Sequence, residues 1–220
     1  MRAEPVQPYR RGHGARTSPS HRRQAARTGP LRPRVRGREH VSNAGGVVVA
    51  PIHLSGFDAL AVAYALWPRV PRTMAKNQLF HRPHLGPVIR CLGAFPARED
   101  TDISGGVAAG AGLAAAGKPV VIFPEGARRR GRRRRLRTGA ARTALAAGVP
   151  LVPVALRGTD GWRVLHRWEV DFGPPIAVDD LRAVAPDESA REATRRLAAA
   201  ISALESSPGS SGQAGSSIAP

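Results

Sequence analysis

Short apolar runs alternate with helical patterns through the middle of the chain. Continuous apolar runs at 46–52, 119–123 and 151–156 predict three buried strands, and a fourth strand is predicted at 169–172. Helical patterns occur at 59–67, 107–116, 138–147 and 188–204. The first of these helices is apolar on all sides, which predicts that it is buried, whereas the last is amphipathic. Strands separated by helices predict an α/β fold with a largely parallel central sheet flanked by helices.

The two ends of the chain lack this patterning. Residues 1–33 are rich in Arg, Pro, Gly and Ser, and residues 206–220 are rich in Ser and Gly. Such segments bury too little apolar surface to offset the entropy lost on ordering, so we expect both to be disordered. The length of 220 residues leaves a single folded domain at 34–205.

The positive charge of the chain is concentrated in two clusters. The formal net charge is +18, from 34 Lys and Arg against 16 Asp and Glu. Residues 1–40 hold eleven Arg against Glu4 and Glu39, and residues 128–137 hold eight Arg and no acid. Basic residues near an anionic lipid surface each contribute roughly 1 kcal/mol, so an anionic membrane surface is the predicted partner. Nucleic acid is disfavoured, because no stacking aromatic residues are interleaved with the arginines.

Cysteine content and hydropathy predict the cellular setting. The single cysteine, Cys91, excludes an intramolecular disulfide and fits a reducing cytoplasm. Its apolar neighbours predict a buried structural residue. No apolar run reaches the roughly 18–20 residues of a spanning helix, and no signal peptide is visible. We therefore expect a cytoplasmic protein that is peripherally associated with the inner face of the cell membrane.

A histidine and an aspartate lie five residues apart where the first predicted strand meets the first helix. A carboxylate at Asp58 could fix the tautomer of His53 and favour the imidazolium formed during proton abstraction. The alternative is structural. Ser55 followed by Asp58 also fits a helix capping box, in which the carboxylate serves backbone amides.

Three further segments are candidates for chemistry. Phe123-Pro124-Glu125-Gly126-Ala127-Arg128 follows a predicted strand, at the end where ligands of open α/β sheets bind. Arg128 could hold a phosphate through two hydrogen bonds, or the segment could be an ordinary polar turn. The other two segments are 93–98, which ends at Arg98, and 152–154, where Pro153 predicts a bulge or a constrained approach to a site. His81 and His84 have no further ligands nearby in the sequence and are expected on the surface.

The order of these four segments resembles the glycerol-phosphate acyltransferase family, and most closely the lysophosphatidic acid acyltransferases. The matching residues are His53 and Asp58; Gly93, Phe95 and Arg98; Phe123, Pro124, Glu125, Gly126 and Arg128; and Val152, Pro153 and Val154. The connecting segment around Lys76 is also similar. The resemblance extends over about residues 35–204.

The resemblance implies transfer of a fatty acyl group from acyl-CoA or an acyl carrier protein thioester to the free hydroxyl of lysophosphatidic acid, giving phosphatidic acid for phospholipid biosynthesis. It implies direct transfer, with no acyl-enzyme and no cofactor. His53 would act as general base and Asp58 would hold its ring. Acceptor binding is implied for seven residues. They are Lys76, Arg98, Phe123, Pro124, Glu125, Gly126 and Arg128.

Departures from the family pattern keep other functions open. Ile52 replaces the asparagine that usually precedes the histidine, and Ala127 replaces a threonine of the third motif. These changes favour, as an alternative, an enzyme that acylates another lysolipid, a glycolipid or a polyketide-like hydroxyl. A catalytically inactive, basic nucleic-acid-binding protein is the third possibility.

Overall fold

The structure is a computed structural model that describes residues 33–41, 45–97, 103–129, 134–160, 168–181 and 183–207. The described residues form seven strands and six α-helices. The strands are β1 (Arg34–Arg36), β2 (Val47–Pro51), β3 (Arg72–Lys76), β4 (Phe95–Ala97), β5 (Pro119–Val121), β6 (Leu151–Arg157) and β7 (Glu169–Phe172). The helices are α1 (Asp58–Leu66), α2 (Asn77–Phe80), α3 (Gly86–Cys91), α4 (Ile103–Ala115), α5 (Gly139–Ala147) and α6 (Pro186–Ser206). The predicted α/β class is confirmed.

The strands form one mostly parallel sheet. Its order is β1-β7-β6-β2-β5-β3-β4, and every neighbouring pair is parallel except β6 with β7. The central strands β2 and β5 are buried throughout, as expected for strands covered on both sides. Strands β2 to β6 therefore run in one direction, and their carboxyl ends meet at one edge of the sheet.

The direction of each crossover places the helices on the two faces of the sheet. The connections from β2 to β3 and from β3 to β4 move towards one side of the sheet, and those from β4 to β5 and from β5 to β6 move back. Since such crossovers are right-handed, α1, α2 and α3 lie on one face and α4 and α5 on the other. Helices α4, α5 and α6 pack against one another. Alanines such as Ala140, Ala141 and Ala144 are fully buried in this layer.

Three strands are absent from the sequence prediction, and two local expectations were wrong. Strands β1, β3 and β4 are short or carry charged residues, so no apolar run marks them. The register of β6 on β2 runs through Pro153 without a break, so there is no bulge at this proline. Cys91, expected to be buried, is exposed at the end of α3.

Helix α1 is also less buried than its composition predicts. Ala61, Val62, Ala65 and Leu66 face the core, but the opposite side of the helix is exposed to solvent. Within the residues described, no helix combines the length and hydropathy that crossing a bilayer requires. The predicted disordered segments lie almost entirely outside the described residues, so their disorder and the proposed domain limits stay predictions.

We expect Gly46→Ala to destabilise the protein by about 1–3 kcal/mol, the usual cost of overpacking. A methyl group at Gly46, just before β2, would overlap the carbonyl oxygen of Ala114 in α4. The free energy of unfolding in urea measures the change. Gly112→Ala is the matched control, because its methyl group meets nothing and alanine should stabilise the interior of α4 by about 0.5–1 kcal/mol. Equal effects of the two substitutions would contradict the close packing of β2 and α4.

Candidate active site

The candidate site lies at the carboxyl edge of the parallel strands. His53 follows β2, Lys76 ends β3, and Glu125 follows β5. Thr159 follows β6 in the same way. Parallel strands bring residues that are distant in sequence to one edge, which is where ligands of open α/β sheets bind. The topology therefore gathers the first and third motif segments there. Residues 152–154 lie within β6 and pair with β2. The remaining segment ends at Arg98, directly after β4, and Arg98 lies outside the described residues.

The buried carboxylate of Asp58 is the centre of the first motif. Its Oδ2 accepts hydrogen bonds from His53 Nδ1 at 2.8 Å and from the backbone N–H groups of Leu54 at 2.6 Å and Ser55 at 2.8 Å. Its Oδ1 accepts a hydrogen bond from the Thr159 hydroxyl at 2.6 Å. Ser55 Oγ lies 3.4 Å from Oδ1 and donates to the Thr159 carbonyl at 2.6 Å. This network joins the loop after β2 to the loop after β6.

The network determines the state of the histidine. A carboxylate that already accepts backbone donors must also accept from Nδ1, so the neutral His53 ring carries its proton on Nδ1 and has a lone pair on Nε2. The ring packs against Phe123, with centroids 4.3 Å apart. The side chain of His53 keeps 22% of its accessible surface. A tethered imidazole with a free Nε2 and access to solvent is equipped to take a proton.

Only part of the predicted helix capping box is present. Asp58 does accept the backbone N–H of Ser55, as in a capping box. However, Phe57 is the N-cap residue of α1, and its side chain makes no capping hydrogen bond. The same carboxylate therefore orders the turn and orients the imidazole.

The turn after β5 places the third motif beside His53. The N–H of Gly126 donates to the Phe123 carbonyl at 3.1 Å, and Gly126 has a φ of 67°, a left-handed conformation that favours glycine. The turn is tied to later residues at Pro124, whose carbonyl accepts the N–H of Arg137 at 2.7 Å. The Arg137 side chain lies over Gly126, where a methyl group would be 3.0 Å from its Nε.

Glu125 is the buried acid of this turn. Its Oε1 accepts a hydrogen bond from Arg129 Nε at 2.5 Å, and Arg129 also pairs with Glu205 near the end of α6. Burial raises the pKa of Glu125, while the hydrogen bond and charge of Arg129 act in the opposite direction. Its Oε2 is buried and has no hydrogen-bond partner among the described residues. Oε1 thus orders the turn, and Oε2 can accept a hydrogen bond from a further donor.

The remaining predicted binding residues differ in exposure. Arg128 and Lys76 are exposed, Pro124 is buried, and Phe123 is half-buried. The side chains of Arg130, Arg132 and Arg133 lie outside the described residues. His81 and His84 are exposed, as expected. Groups of three or more His, Cys, Asp or Glu residues that could hold a metal ion do not occur in the described ranges.

Three residues of the site were missed from sequence. Thr159 is the hydroxyl partner of Asp58, and the available signal was a polar residue directly after a buried strand. Arg129 and Arg137 contact the motif turn, but in the sequence they belong to a run of arginines that have no distinguishing neighbours. Arg129 and Arg137 make different contacts because the folded chain brings each of them back to the motif turn at a different point. A local sequence pattern does not contain that information.

Comparisons with known proteins find related sequences. The family described as Acyltransferase matches residues 32–157. The chain is 29% identical over 140 residues to a 1-acyl-sn-glycerol-3-phosphate acyltransferase of Streptococcus pneumoniae, a match that covers 62% of this chain and 52% of the relative. The chain thus spans about half the length of this curated relative.

A solved structure has a similar fold. The crystal structure of the 1-acyl-sn-glycerophosphate acyltransferase from Thermotoga maritima matches with a TM-score of 0.58 and 19% identity. The match covers 80% of this chain and 73% of the other. At this identity the comparison supports the fold.

We expect Thr159→Val to destabilise the protein by about 1–3 kcal/mol, because it leaves Asp58 Oδ1 without its buried hydroxyl donor. The free energy of unfolding in urea measures the loss. Thr194→Val in α6 is the matched control, since its hydroxyl donates to a backbone carbonyl, that of Ala190, and the change should stay within about 0.5 kcal/mol. Equal losses would show that the Asp58 network does not depend on Thr159.

Proposed function

Because the chain belongs to the acyltransferase family, we propose that it transfers a fatty acyl group from a thioester to the free hydroxyl of lysophosphatidic acid, giving phosphatidic acid. The observation that carries the proposal is the hydrogen bond from His53 Nδ1 to the buried Asp58 carboxylate, 2.8 Å long. It leaves Nε2 as the basic atom of a ring that solvent can reach. The similarity to 1-acyl-sn-glycerol-3-phosphate acyltransferases supports the choice of acceptor.

The proposed reaction is direct transfer with His53 as both base and acid. His53 Nε2 removes the proton of the acceptor hydroxyl as its oxygen attacks the thioester carbonyl. The resulting imidazolium is stabilised by Asp58, which is already hydrogen-bonded to Nδ1. Collapse of the tetrahedral intermediate forms the ester C–O bond and breaks the C–S bond, and the proton on Nε2 passes to the departing thiolate. His53 returns to its neutral state.

The acceptor headgroup is proposed to lie across the turn after β5. Arg128 and Lys76 are exposed cations at the carboxyl edge, and Arg98 is proposed as a third. Together they suit a phosphate dianion. Glu125 Oε2, buried without a described partner, is proposed to accept a hydroxyl of the glycerol backbone. Phe123 and Gly126 shape the surface between the phosphate and His53.

A second acceptor class is favoured by one residue of the turn after β5. Ala127 stands where the family pattern has Thr, so one polar side chain is absent from this turn, whereas Ile52, which replaces Asn, is buried in the core. Another lysolipid or a glycolipid is therefore the alternative substrate. The donor is proposed to be acyl-CoA or an acyl carrier protein thioester. Mass analysis of products from a panel of lysolipids, offered with both donors, separates these possibilities.

We expect His53→Ala to lower the transfer rate by about 10²–10⁴-fold, the usual contribution of a general base. Asp58→Ala should also lower it, because the ring loses its orientation. Product formation from lysophosphatidic acid is measured by mass spectrometry. His81→Ala and His84→Ala, which remove exposed histidines, are the controls and should keep the wild-type rate. Full activity of both the His53 and Asp58 variants would refute the mechanism.

We expect Arg128→Ala to raise KM for lysophosphatidic acid by about 10–100-fold, the loss of one charged hydrogen bond. KM for an uncharged monoacylglycerol should hardly change, because that acceptor has no phosphate. Steady-state kinetics with both acceptors measure the difference. Arg191→Ala, which removes an exposed arginine from α6, is the control. An equal change in KM for both acceptors would place Arg128 outside the phosphate site.

A further inference from the structure

The exposed apolar side chains of this protein are concentrated on one part of its surface. In the part of the chain that the structure describes, eight of the nine exposed large apolar residues lie between positions 57 and 92. We call these eight the α1–α3 surface. They are Phe57, Leu60, Tyr64, Trp67, Val70, Leu85, Val88 and Leu92. Such a concentration marks an interaction site rather than scattered surface residues.

The spacing of these residues gives the surface its shape. Phe57, Leu60, Tyr64 and Trp67 follow one another at intervals of three and four residues, so they line one side of α1 over about 15 Å. Leu85, Val88 and Leu92 do the same along α3. Both helices lie on the face of the sheet opposite α4 and α5. Val70 lies near the end of the α3 stripe, because a methyl group at Gly93, next to Leu92, would be 3.5 Å from its Cγ1.

The charge around this surface favours an anionic partner. Between positions 57 and 92 the only acid is Asp58, which is fully buried. The same segment carries five cationic residues. They are Arg69, Arg72, Lys76, Arg82 and Arg90. Arg38 adds a further cation, since its guanidinium donates to the Trp67 carbonyl.

The side chains themselves are suited to a lipid interface. Trp67 and Tyr64 are 66% and 45% exposed, and aromatic residues of this kind collect at the boundary between headgroups and acyl chains. A helix with one apolar side lies in that boundary and buries its apolar residues there. An exposed apolar surface whose own segment carries five cations and no exposed acid therefore matches an anionic bilayer better than it matches an average protein partner.

The position of the surface relative to the site supports the same partner. The stripe on α1 begins at Phe57, which adjoins Asp58 and packs against Trp168 with centroids 5.9 Å apart. We propose that the α1–α3 surface docks the protein on an anionic membrane, so that the mouth of the His53 site meets the lipid. This inference rests on the proposed function, because docking on a bilayer serves an enzyme whose lysolipid acceptor and two-chain product both reside there. Docking through this apolar surface differs from docking through the arginine clusters at residues 1–40 and 128–137 alone.

The test compares two sets of substitutions in the full chain. Binding is measured by co-sedimentation with vesicles of phosphatidylcholine and phosphatidylglycerol. Combined Leu60→Ser, Tyr64→Ser and Trp67→Ser should weaken binding by at least about tenfold, because three inserting side chains are lost. Val184→Ser, an exposed apolar residue before α6, is the control and should bind like wild type. Wild-type binding by the triple variant would overturn the proposal.

Tryptophan emission supplies a readout that does not depend on activity. In a Trp162→Phe background, exposed Trp67 and buried Trp168 remain. Vesicles should shift the emission to the blue and protect it from a water-soluble quencher, and Trp67→Phe should abolish both effects. Unchanged quenching on vesicles that have bound the protein would show docking by another surface. Protection without vesicles that increases with protein concentration would assign the surface to a second copy and would also overturn the proposal.

Activity measurements separate this inference from the proposed function. The triple variant should transfer acyl groups to a water-soluble short-chain lysolipid at the wild-type rate, and should be slower only on acceptor embedded in vesicles. Equal losses on both acceptors would contradict a docking role. If the wild-type chain acylates none of the acceptors, the proposed function fails, while sedimentation and fluorescence still test the docking surface.

Discussion

The buried Asp58 carboxylate is the interaction on which the arrangement of the site depends. A buried carboxylate is stable only when hydrogen bonds replace its hydration. The donors here come from the loop after β2 and from Thr159 after β6, and one of them is the His53 ring itself. If the ring rotated away, Asp58 Oδ2 would lose one of its three hydrogen-bond donors. Stability of the fold and orientation of the base are therefore provided by the same bonds.

A second buried acid organises the neighbouring turn in a similar way. Glu125 is held by Arg129, and Arg129 is held in turn by Glu205 near the end of α6. The backbone N–H of Arg129 also donates to the His53 carbonyl at 2.8 Å. These contacts connect the β2 loop, the β5 turn and the last helix. A buried ion pair is weak evidence for net stability, because desolvation offsets its attraction. Here Arg129 holds the turn after β5 against the loop that carries His53.

The sequence was sufficient for the class of fold and for placing His53 and Glu125 just after strands, because both have local signals. Buried central strands such as β2 and β6 are continuous apolar runs, and the motif residues follow strands directly. Strands β1 and β3 have no such signal, since charged residues such as Arg34 and Arg72 occur within them. Thr159 and Arg129 are recognisable only when the sheet has brought their partners near. The exposure of α1 was mispredicted for a different reason, since composition alone cannot tell a helix covered by protein on all sides from one with an exposed apolar side.

Two arginines near the ends of the 128–137 cluster are attached to the site by their backbone N–H groups. Arg129 donates to the His53 carbonyl and Arg137 to the Pro124 carbonyl, so both ends of the cluster lie beside the His53 site. The positive electrostatic potential of this arginine cluster extends over about a Debye length of 8–10 Å at moderate ionic strength. Anionic molecules diffusing nearby would be steered towards His53 before any contact forms. The capture rate should consequently fall with added salt, even where the chemical step is unaffected.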